Sequence, residues 1–241
     1  MLESYLSGSD QPLLGLLLHK AIAHGKERAA NIILDKGADI EWIQTPYGPP
    51  LRRAAYEGNV RMLKLLLSRG AKLDSVSSGI GTALMKAISN NKMEAVQYLI
   101  DQGARLELDG ERLFGTALQA SVSTGLIEMV QFLLGRGANI NAKGGLWGTA
   151  LGQAVADGRA NMVQFLIDNG ADINAVGEPR RITAIEVAEQ CGRVEIAQLL
   201  LDNGADIDIK GGYSAVPRST LVRILLAKAA DISAKQGQRR P

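Results

Sequence analysis

Cysteine is nearly absent from this 241-residue chain; Cys191 is the only one. No internal disulfide can form, and a reducing compartment is the simple reading. Histidine is almost as scarce. His19 and His24 do not share a helix face, so they make no metal-binding pair. Aromatic residues are 4% of the chain, which leaves an aliphatic core of Leu, Ile, Val and Ala. The net charge of +2 creates no strong field to draw in nucleic acid or an anionic membrane. Long apolar runs are missing too. The first, Leu13 to Leu18, is too short to span a bilayer. Its flank carries Glu3 and Asp10 and no Lys or Arg, which argues against a secretory signal.

The usual catalytic constellations are also lacking. Cys191 has no histidine near it in sequence and no group to hold a thiolate, so it reads as a partly buried structural thiol. The stretch from Asp109 to Gly115 (DGERLFG) lacks the lysine of a phosphate-cradling loop. The alternating acids of Ala205-Asp206-Ile207-Asp208 do not follow a calcium-loop pattern. No cofactor or metal site is expected.

What is present is a period. Gly-Ala pairs begin at Gly37, Gly70, Gly103, Gly137, Gly170 and Gly204, always 33 or 34 residues apart. A period of that length marks a stacked helical array, in which each unit contacts its neighbours. With 46% hydrophobic and 22% charged residues, the chain has the balance of a folded protein. The stretch Gly115 to Ala142 (GTALQASVSTGLIEMVQFLLGRGANINA) shows one whole unit. It reads as a short helix, a reversal at Gly125, a second helix and a Gly-Ala stop. In the third unit Asn91 takes the place of the reversing glycine, as the best non-glycine residue for a left-handed backbone. Pro49 and Pro50 suit a first helical turn. The first unit lacks a threonine start, and Ser9 or Asp10 is expected to cap a helix entering at Pro12.

Small residues in the first helices (Ala54, Ala87, Ser121, Ala154, Ala188) let adjacent units approach closely. Larger ones in the second helix (Met129, Val130, Phe132, Leu133, Leu134) fill the layer between. Ala29, Ala30, Ile32, Ile33 and Leu34 are expected to share an apolar stripe. Between units lie loops that should form β-hairpin-like projections, with Gly144-Gly145, Ser78-Gly79 and Asp109-Gly110 as turn dipeptides.

The helix starts carry a motif: Thr82-Ala83-Leu84, Thr116-Ala117-Leu118, Thr149-Ala150-Leu151 and Thr183-Ala184-Ile185, with Pro49-Pro50-Leu51 in the second unit. This resembles the T-P-L-H start of the ankyrin repeat, about 33 residues of β-turn plus two helices. The Gly-Ala-Asp-Ile-Asn ending, complete at 170–174, fits as well. The histidine survives only at His19; Arg52, Met85, Gln119, Gly152 and Glu186 replace it elsewhere, which weakens the threonine–histidine network of the family. The GGxxGTALQA variant is similar to repeats common in multidomain proteins of filamentous fungi. The resemblance covers about 13–233. It implies an all-α ankyrin-repeat solenoid of stacked helix-turn-helix units in one domain, 1–234. Six full repeats are expected at about 13–44, 45–77, 78–111, 112–144, 145–178 and 179–211. A degenerate cap follows at 212–234, where Ala229-Ala230-Asp231-Ile232 mirrors Gly-Ala-Asp-Ile, and a polar tail at 235–241.

Five residues precede the helix start by two positions: Tyr47, Ile80, Phe114, Trp147 and Arg181. Aromatics and Arg are common interface anchors, although each could instead pack on the next loop and stiffen the array. The resemblance implies a non-catalytic scaffold that binds another protein through loop tips and the concave face of the first helices. The expected contact set is Tyr47, Tyr56, Arg112, Phe114, Trp147, Arg180 and Arg181. The expected protein is a cytoplasmic or nuclear monomer that binds neither nucleic acid nor membrane. The alternative is a targeting or regulatory module of a larger enzyme. The family resemblance also places Asn141 and Asn174 where some ankyrin proteins are hydroxylated.

Overall fold

The computed structural model describes residues 10–43, 47–76, 81–108, 115–209 and 211–212. Their helices form two compact units, Met1–Asn139 and Ile140–Pro241. The first holds α1 (Gln11–Ala23), α2 (Glu27–Asp35), α3 (Pro50–Glu57), α4 (Val60–Ser68), α5 (Ala83–Ser89), α6 (Met93–Asp101), α7 (Ala117–Thr124) and α8 (Ile127–Gly135). The second holds α9 (Ala150–Ala156), α10 (Ala160–Asp168), α11 (Ala184–Gln190) and α12 (Val194–Asp202). The expected degenerate cap and polar tail lie outside the described residues.

Each odd-numbered helix packs against the even-numbered helix that follows it. In the first unit α1, α3, α5 and α7 also lie side by side, and α2, α4 and α6 form a second layer. In the second unit α9 meets α11 and α10 meets α12. This is an all-α repeat solenoid, built from pairs too short to bury a core alone.

The core repeats with the sequence. Ala54, Ala87, Ser121, Ala154 and Ala188 are all fully buried, as their small size predicts. In the even helices the buried set stands at i, i+1 and i+4: Met62, Leu63, Leu66; Ala95, Val96, Leu99; Met129, Val130, Leu133. In the second unit Met162, Val163, Leu166 and Ile196, Ala197, Leu200 follow the same pattern. These spacings mark one helical face. Phe132 and Leu134 fall off that face and are only half-buried, unlike their three neighbours.

The expected stripe on α2 needs the same correction. Only Ala30 is buried; Ala29, Ile33 and Leu34 are half-buried and Ile32 is 59% exposed. Ala29, Ala30 and Ile33 occupy the i, i+1, i+4 face, whereas Ile32 points away from α1 and α4, the helices α2 packs against.

Local chemistry sets the helix ends. Thr82, Thr116, Thr149 and Thr183 each accept a bond from the amide three residues on, at the N-cap. At the first helix Asp10 fills this role and accepts from the Leu13 amide. Two replacements of the family histidine close a capping box. The Thr116 amide donates to Gln119 Oε1 at 2.8 Å, and the Thr183 amide to Glu186 Oε2 at 2.9 Å. Asn91 does adopt the left-handed backbone expected of it, with φ 52°.

A ladder of polar side chains ties successive repeats. The Lys72 amide donates to Glu41 Oε1, the Arg105 amide to Asp74 Oδ1 and the Asn139 amide to Glu107 Oε1. In the second unit the Asp172 and Asp206 amides donate to Asn141 and Asn174 Oδ1, each at 2.8 Å. The rungs recur at the repeat period.

The loops only partly match the hairpin expectation. The loop from Gly177 to Ile182 closes by reciprocal amide–carbonyl bonds of 2.9 and 3.2 Å, an isolated antiparallel bridge. At the preceding loop the Gly144 amide donates to the Gly148 carbonyl. The turn dipeptides Ser78-Gly79 and Asp109-Gly110 lie outside the described residues.

Candidate binding surface

On α3, Arg53, Tyr56 and Glu57 stand at i, i+3 and i+4, the spacing that brings side chains onto one helix face. The backbone just ahead of α3 carries Tyr47 onto the same face. The Arg53 guanidinium lies 3.6 Å from the centre of the Tyr47 ring and 5.5 Å from that of Tyr56. The two rings meet edge-on at 5.6 Å. Arg53 also pairs with Glu57 at 2.6 Å. From the neighbouring helix α5, Lys86 reaches within 5.3 Å of the Tyr56 ring centre. A cation held over an aromatic face is attracted by the ring quadrupole, so the cluster is held by its own electrostatics.

Next to Arg53 in the chain, Arg52 is 2% exposed, and its Nε and Nη1 have no hydrogen-bond partner. Burial pulls its pKa down to about 10. Lys86 is also lowered, by burial first and by the Arg52 charge second.

The second unit has a smaller cluster. Arg180 lies 5.3 Å from the Trp147 ring centre, so consecutive loops touch here. Arg181 is exposed, with a left-handed backbone, and its carbonyl accepts from the Gly212 amide at 2.6 Å. The Trp147 backbone also fills the slot of the missing family histidine. A Cβ at Gly152 would stand 2.1 Å from the Trp147 carbonyl oxygen.

Of the seven expected contact residues, the structure thus brings Tyr47 to Tyr56 and Trp147 to Arg180. Arg112, Phe114 and the tip residue Ile80 lie outside the described residues. Sequence reading missed Arg53 and Lys86. The signal was present, since each stands one residue after the family histidine position in its repeat.

His19 is buried, with its ring 5.7 Å from the Trp42 ring. Trp42 lies flat over Gly15, where a Cβ would fall 2.2 Å from the indole. Burial lowers the His19 pKa; the Trp42 backbone opposes this and the Arg53 charge adds to it. A base with a depressed folded pKa takes up a proton more readily when unfolded. Its contribution is therefore present above the unfolded pKa, about 6.5, and is lost as pH falls below it. The melting temperature is expected to drop between pH 7.5 and 5.5, and His19→Gln should flatten that slope. An equal slope in the variant would remove His19 as the cause.

Cys191 caps α11 as a half-buried free thiol. Burial raises its pKa, which makes it a weak nucleophile at neutral pH. Asn141 and Asn174 are engaged in the inter-repeat ladder, each also donating from Nδ2 to a carbonyl of the next Gly-Ala stop, Gly170 and Gly204. Among the described residues no cluster of His, Cys, Asp or Glu could hold a metal ion. Nor is any helix there long and apolar enough to cross a membrane.

Family models described as ankyrin repeats match 18–67, 51–144 and 145–211. No curated protein matches the chain. Among solved structures, the human ASB11 ankyrin repeat domain is similar at 26% identity and a TM-score of 0.65, over 87% of this chain and 96% of that one. The ankyrin repeat domain of Bcl-3, a member of the IkappaB protein family, is similar at 26% identity and a TM-score of 0.66, over 87% and 97%.

Proposed function

Because the chain belongs to the ankyrin repeat family, whose repeats generally mediate protein–protein interaction, we propose that it is a non-catalytic scaffold. It holds a protein partner against its first helices and the loops ahead of them. The observation that carries this reading is the grouping of Tyr47, Tyr56, Arg53 and Lys86 on one face of α3 and α5. Large aromatic and cationic groups clustered on partly accessible first helices are the side chains that anchor interfaces. Trp147 with Arg180 extends the same chemistry to the second unit.

The test is the combined change Tyr47→Ser, Phe114→Ser and Trp147→Ser. Affinity capture from the native cell should lose its specific partner. Helical content and melting should stay close to the wild type, because surface changes typically cost within about 0.5 kcal/mol each. A large drop in melting temperature with the partner still captured would show that these side chains stiffen the array and do not bind.

A further inference from the structure

We propose that the first-helix face of the unit Met1–Asn139 docks an acidic, extended peptide segment of a partner protein. The carboxylates of that segment would sit on Lys20, Arg53 and Lys86 beside Tyr47 and Tyr56. The inference rests on the scaffold reading above and gives the partner a chemistry.

The first observation is one of register. Lys20, Arg53 and Lys86 are spaced by the repeat period and occupy the same position of α1, α3 and α5, helices that pack side by side. Stacking therefore lines up three cations across adjacent helices. The next residue of this column, Ala120 on α7, is neutral and ends the run. The second observation is one of sign. Across α1, α3, α5 and α7 the charged residues are Lys20, Arg52, Arg53, Lys86 and a single acid, Glu57. The chain as a whole is nearly balanced at +2, so this layer concentrates positive charge. The corresponding helices of the second unit do not; α9 is uncharged and α11 carries Glu186 and Glu189.

The third observation is Arg52. A guanidinium that is 2% exposed, with two nitrogens unpartnered, departs from the rule that buried charges are paired. No acid in these four helices compensates it, because Glu57 pairs with Arg53. An anion seated on Arg53 and Lys86 would supply the missing negative charge from above. The depressed pKa of Lys86, due to burial and then to Arg52, fits a site short of an anion.

Packed helices stand roughly 8–10 Å apart. An extended segment in the polyproline II conformation places every third side chain on one side, about 9 Å apart. An acidic residue at every third position would thus meet one cation per repeat.

The experiment uses the full chain and a labelled peptide with Glu at every third position, read by fluorescence anisotropy. Its Gln-for-Glu counterpart and a DNA oligomer of equal charge serve as competitors. The Glu peptide should bind, and more weakly as salt rises, because partly exposed charges are screened. Arg53→Gln with Lys86→Gln should weaken it by at least about tenfold. Arg61→Gln with Lys64→Gln on α4, which removes the same charge elsewhere, should leave affinity within about twofold. Arg52→Met should weaken binding with the circular dichroism spectrum unchanged. Equal binding of the Gln peptide, tighter binding of the DNA, or equal losses in the two double variants would overturn the proposal. If the peptide fails to bind while the Tyr47, Phe114 and Trp147 variant still loses its native partner, the acidic chemistry falls and the scaffold reading stands.

Discussion

Gly148→Ala is expected to destabilise the α9–α12 unit by about 2–5 kcal/mol, combining a left-handed backbone penalty with overpacking. Two effects act at this position. Gly148 has φ 77°, a region that residues with a Cβ rarely adopt. An added Cβ would also stand 2.5 Å from the Cα of Gly177 in the next loop. The clash is with backbone, so no rotamer change relieves it. The two effects can be separated. Gly177→Ala meets the same obstruction, 2.4 Å from the Gly148 Cα, without the positive φ. Gly137→Ala has the positive φ but nothing within 4 Å, so it should cost only about 1–2 kcal/mol. Urea unfolding followed by circular dichroism gives the ranking, and hydrogen exchange should show lost protection in α9–α12. If Gly148→Ala costs no more than Gly137→Ala, the two loops do not approach as described.

Leu133→Ala should cost about 2–5 kcal/mol, the range for an aliphatic side chain removed from a well-packed interior. Leu133 is fully buried on α8, with Met129 and Val130 on the same face. Its loss leaves a cavity between helices that have no other core to fall back on, because each repeat buries its apolar face only against neighbours. Ile32→Ala is the counterpart. Ile32 is 59% exposed on α2, and its truncation should fall within about 0.5 kcal/mol. Both measurements come from denaturant midpoints at constant slope. An Ile32 variant as damaging as the Leu133 variant would mean that α2 packs through a different face.

Much of this plan was legible in the chain. The Gly-Ala period gives the number and spacing of helix pairs, since each stop requires a left-handed residue at a fixed place. Thr82, Thr116, Thr149 and Thr183 mark helix starts because a hydroxyl caps an amide three residues on, an interaction contained within one turn. Asn91 could be read as a reversing residue for a similarly local reason. The small residues of the odd helices and the bulky ones of α8 also indicated which layer is tight and which is filled.

The α2 stripe shows where local reading stops. Ile32 and Ile33 are equivalent as amino acids, and both belong to an apolar run; the position of α4 decides that one is half-covered and the other exposed. The basic face has the same origin. Lys20, Arg53 and Lys86 are a full repeat apart in the chain, beyond the reach of any capping or helix-face rule, and become neighbours only when the helices stack. Arg52 could be read as a departure from the family histidine, but that its charge is buried without a partner is visible only in three dimensions. Sequence by itself determined the repeat, its helices and their ends, because those follow from interactions across a few residues. Tertiary structure decided which side chains are covered and which share a surface, because that depends on what the neighbouring repeat places against them.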